Sequence, residues 1–103
     1  MTYFEKIINY IREVFGVEKP QIPDILMLIA LNEKGIFAKR LSKKQKTELI
    51  NYGMLVLLEQ NGYAKKSGEE IIPTNPLPPM NPAEQTVFIK QMIIKYFKDN
   101  EIV

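Results

Sequence analysis

The sequence predicts an all-α domain of four main helices packed as a small orthogonal bundle, with residues 1–103 forming one domain. Three observations carry that prediction. Helix-start signatures, an N-cap side chain followed three residues later by an acid or amide, recur at "TYFE", "SKKQ" and "NPAE". Stop signals that tolerate left-handed backbone follow at Gly16, at Gly35 and at "NG" (61–62). Between the third and fourth helices, "PTNPLPPMNP" (73–82) holds five prolines in ten residues and forbids both helix and central strand.

The first helix starts after Thr2, which with Glu5 makes a capping box. Phe4, Ile7, Ile8, Ile11, Val14 and Phe15 follow with helical spacing, and Gly16 ends the run. Pro20 and Pro23 each restrict the residue before them, so the helix does not continue. A second helix starts near Pro23 and Asp24, where a fixed φ and an early acid suit the first turn. Its body, "ILMLIAL" (25–31), is apolar on every side, as a buried strand would also be. The flanking Pro-Asp and "NEKG" favour a helix ending at Gly35, and its all-round apolarity places it centrally in the core.

The third helix opens after Leu41, with Ser42 and Gln45 as its box. It is sparse in apolar residues at first, then dense through "MLVLL" (54–58). Gly53 lies in its interior at a cost of about 1 kcal/mol relative to Ala, for which close approach of another helix is the structural reason. In "YAKKSGEEIIP" (63–73), two short runs flank "SG" and predict a small hairpin. The proline segment then crosses in extended form, with Leu77 and Met80 turned into the core. The fourth helix starts with Asn81 as N-cap, Pro82 in the first helical position and Glu84 closing the box. Val87, Phe88, Met92, Ile93, Tyr96 and Phe97 form its buried stripe, and the tail "KDNEIV" frays. The second and third helices form the centre, with the first and fourth packed across them.

Composition excludes more than it specifies. The apolar fraction of 46% and the charged fraction of 25% are those of ordinary globular chains. No run approaches the roughly 20 apolar residues of a membrane span. Glu5 and Arg12 interrupt any signal-peptide core, so a soluble cytoplasmic protein with no membrane partner is expected. With no Cys, disulfides and thiolate zinc sites are excluded; with no His, so are Ser-His-Asp and Cys-His catalysis. No phosphate-binding glycine loop and no metal-ligand spacing is present, so neither an enzyme nor a cofactor is expected.

The most distinctive stretch is "AKRLSKKQK" (38–46). Lys39, Arg40, Lys43, Lys44 and Lys46, with Lys34, give residues 34–47 six positive charges and no acid. Cations in the first turn run against the helix dipole, by about 0.3–1 kcal/mol each. Exposed N–H groups at the same place make an anion cradle, so these residues are candidate phosphate or nucleic-acid contacts. The simpler account is a solvated helix start that keeps a small domain in solution. A short helix at 36–41, a longer one from 43 and a hairpin at 63–73 would follow the order of winged helix-turn-helix domains. Against that analogy, "IFAKRL" is barely long enough for the first helix of the pair, and each hairpin strand is only about three residues.

The remaining motifs carry bland readings. The P-x-x-P spacings at Pro73/Pro76, Pro76/Pro79 and Pro79/Pro82 suit aromatic-lined grooves but describe a packed connector equally well. Glu69 and Glu70 are adjacent in a turn, do not face each other, and form a solvated tip rather than an acid–base pair. Tyr3, Tyr10, Tyr52, Tyr63 and Tyr96 are expected at the core boundary.

The succession "PDI…L", "NEKG", "KKQKTEL", "LLEQNGY", "EQ" and "IIKYF", from about Ile22 to Phe97, resembles a small family of short helical bacterial proteins that is itself uncharacterised. That family's pattern has a histidine in the third helix and a longer, Trp-containing hairpin, neither of which is present here. The resemblance implies a compact helical domain in a cytoplasmic bacterial setting and assigns no activity or site residue. Taken together, the expectation is a non-enzymatic module working through a protein partner or as a homo-oligomer. The alternative is a winged-helix-like nucleic-acid-binding domain using the cluster at 39–46.

Overall fold

Six elements follow one another in the chain: α1 (Tyr3–Phe15), α2 (Ile22–Lys34), α3 (Lys43–Gln60), β1 (Ala64–Ser67), β2 (Glu70–Pro73) and α4 (Pro82–Asp99). The computed structural model describes residues 1–36 and 40–103. The protein is thus mostly helical, with the predicted hairpin as a real two-stranded antiparallel sheet. The elements fall into two compact units. One comprises Met1–Pro20 with Leu77–Val103, the other Gln21–Pro76.

In the first unit, α1 and α4 bury Ile7 and Ile11 together with Met92, Ile93, Tyr96 and Phe97. Fully burying each such side chain is worth about 1.5–3 kcal/mol. Phe97 sits edge-on to two rings, with centroids 6.4 Å from Tyr10 and 6.0 Å from Tyr96, an arrangement that matches ring edge to ring face. The start of α1 forms half of the predicted box: Thr2 Oγ1 accepts from the Glu5 N–H at 3.1 Å. Gly16 ends it in left-handed geometry (φ 67°), donating to the Arg12 carbonyl. Val14, on the same helical spacing as Ile7 and Ile11, is 44% exposed.

The tail does not fray. Glu101 takes a left-handed φ of 51°, and the Ile102 N–H returns to the Phe97 carbonyl at 3.0 Å. Tyr3 Oη then donates to the Val103 carbonyl at 2.7 Å. This closure has no glycine to announce it, which is why the sequence pattern suggested a loose end.

In the second unit, α2 and α3 pack face to face and the hairpin lies against α3. Ile25, Leu26, Ile29 and Ala30 of α2 are buried with Leu49, Gly53, Val56 and Leu57 of α3. No residue from 25 to 31 is exposed, as its apolarity on every side requires. The close approach expected at Gly53 is there: a Cβ at that position would overlap the carbonyl group of Leu26, with the Leu26 carbonyl carbon only 2.7 Å away. The turn at "NG" is a Schellman closure: Gly62 (φ 85°) donates to Glu59 and Tyr63 donates to Leu58 at 2.8 Å. The strands pair in register from Ala64 with Pro73 to Ser67 with Glu70, so the central turn pair is Gly68–Glu69, one residue later than "SG". Ala64 and Ile71 plug the hairpin into the unit's core.

Candidate functional site

Three surfaces invite a functional account. The first is the basic start of α3, whose local build is as the sequence requires. Ser42 Oγ accepts from the Gln45 N–H at 3.1 Å, and Gln45 Oε1 accepts from the Ser42 N–H at 2.8 Å. Thr47 Oγ1 turns back to the Lys43 carbonyl at 3.0 Å. Arg40, Lys43, Lys44 and Lys46 are all exposed around this turn, so the structure brings four of the five predicted cations to one end of one helix. Lys39, with the centre of the short helix expected at 36–41, lies outside the described residues. Ile36, Arg40 and Leu41 are not helical. A helix-turn-helix pair needs a first helix and a turn of 3–4 residues before the second. The described residues show no such helix directly ahead of α3.

The second surface is a cleft of about 550 Å³ where the end of α2, the middle of α3 and the hairpin tip meet. Its rim mixes signs, with Lys34 and Lys66 against Glu33, Glu69 and Glu70. Lys34 lies over the Tyr52 ring, its ammonium 4.3 Å from the centroid. Two cations against three acids leave one net negative charge around an open, hydrated cleft, too weak a field to gather an ion. Glu69 and Glu70 are exposed, as a solvated tip should be. Among the described residues, no group of three acids is placed to hold a metal ion, and no helix is long and apolar enough to cross a membrane.

The third surface was missed from sequence. The start of α4 bears a shallow groove of about 440 Å³ lined by Met80, Ala83, Glu84, Val87, Phe88 and Gln91. Asn81 Oδ1 caps the helix by accepting from the Glu84 N–H at 2.8 Å, and Glu84 Oε1 accepts from the Asn81 N–H at 3.3 Å. This box fixes the first turn, and Gln85 Nε2 donates to the Met80 carbonyl at 3.2 Å, which holds the approach to it. Val87 was assigned to the buried stripe and is 54% exposed; Phe88 is half-buried. Leu77, expected in the core, is 45% exposed, and Met80 is half-buried.

The geometry of the error is simple. Val87 and Tyr96 are nine residues apart, about two and a half helical turns, so they point to opposite sides of α4. Tyr96 is wholly buried, and the outward face of α4 therefore passes through Ala83, Val87, Gln91 and Ile94, with Met80, just ahead of the helix, lining the same groove as Val87. Summing the angle from Tyr96, rather than grouping neighbouring apolar residues, would have found it. No family model, curated protein or solved structure matches the chain.

Proposed function

We propose that this protein is a non-enzymatic interaction module, and that the outward apolar face at the start of α4 is the surface it uses. The observation that carries this reading is Val87, 54% exposed at the centre of a groove floored by Met80, Ala83 and Phe88 on a rigidly capped helix. Single exposed apolar residues are ordinary; a contiguous apolar groove on a regular element is the pattern of a contact surface. The cytoplasmic bacterial setting and the kinship with short helical bacterial proteins are part of the same proposal. A photo-crosslinking residue at position 87, introduced in cells, should give a discrete protein adduct that the same probe at Gln85 does not. Absence of any adduct at 87 sinks the reading.

A second reading rests on the four described cations at the start of α3, where the first turn holds no acid. If that end grips nucleic acid, affinity should fall steeply with salt, because each neutralised phosphate releases a counterion. Replacing Lys43, Lys44 and Lys46 with Gln should abolish binding while the protein stays folded. No binding to duplex DNA or single-stranded RNA at about 50 mM salt removes this reading.

A further inference from the structure

We draw no further inference here: the strongest candidate, the apolar groove around Val87 at the start of α4, is the surface already proposed for interaction, and nothing in the structure shows what covers it.

Discussion

α3 and α4 are built to one plan. Each is 18 residues long, each starts with a complete capping box, and each has a threonine at its fifth position whose hydroxyl donates to the carbonyl four residues back. Each ends on an asparagine, Asn61 or Asn100, whose amide donates to the carbonyl four residues earlier, and then on a residue in left-handed geometry. In each, the buried residues lie towards the C-terminal side and the first turns project from the core. The difference is in what projects. The start of α3 carries lysines and no acid; the start of α4 carries Met80, Ala83, Val87 and Phe88 beside Glu84. Water satisfies the first without help, since exposed ammonium groups are well hydrated. It gives no such return to the second, whose apolar surface remains to be covered. Two helices of the same construction thus present opposite problems, and the proposed interaction rests on the apolar one.

The comparison breaks most sharply at the anchors that let both starts project. Phe97→Ala removes the ring packed between Tyr10 and Tyr96 and should cost about 3–5 kcal/mol in urea unfolding; a loss under about 1 kcal/mol would deny α4 its anchor. The corresponding anchor of α3 is a glycine. Gly53→Ala drives a methyl into the Leu26 backbone, which has no flexible side chain to give way, and should cost about 3 kcal/mol. An unchanged melting temperature in the Gly53→Ala variant would mean that α2 and α3 do not approach as closely as described.

Smaller effects separate the two helix ends and the two helix starts. Gly62 closes α3 with the residue suited to positive φ, whereas Glu101 closes α4 with one that is strained there. Gly62→Ala should therefore lose about 1 kcal/mol, and Glu101→Gly should gain up to about 1 kcal/mol. A loss in the second variant would show that the α4 closure is not left-handed at that residue. Smallest of all, the Lys43, Lys44, Lys46→Gln triple relieves cations at a helix N-terminus and should raise stability by a few tenths of a kcal/mol at low salt. Val87→Ser, measured at concentrations where the chain is monomeric, should change stability by less than about 0.5 kcal/mol. A large loss there would return Val87 to the core.

Much of the fold was legible because it is locally written. The boxes at Ser42/Gln45 and Asn81/Glu84, the left-handed stops at Gly16, Gly35 and Gly62, and the hairpin flanking Gly68 each depend on a few adjacent residues. Even the reason for Gly53 could be read, since a helix-interior glycine has few other uses. The candidate surface was not legible, for a physical reason. Apolarity marks Val87, Leu77 and Val14 as residues that favour burial, but only the facing element determines whether they obtain it. Val87 was placed in the core by its position in the fourth helix and Leu77 by reading the proline segment as a packed connector, and both are exposed, as is Val14. The α4 closure was missed for the converse reason: Glu101 adopts a conformation that its residue type disfavours, so no sequence signal marks it.

The chain has no cysteine, so a single engineered one reports its neighbour cleanly. A thiol-reactive cross-linker attached at residue 87 therefore samples what covers the outward face of α4, and one at residue 85, on the opposite side of the helix, does not. In cells, Val87→Cys carrying a short cross-linker should capture a discrete protein, and Gln85→Cys should not. Capture by the Val87→Cys variant alone is the predicted result. Equal capture by both variants, or by neither, would contradict an interaction surface at the start of α4.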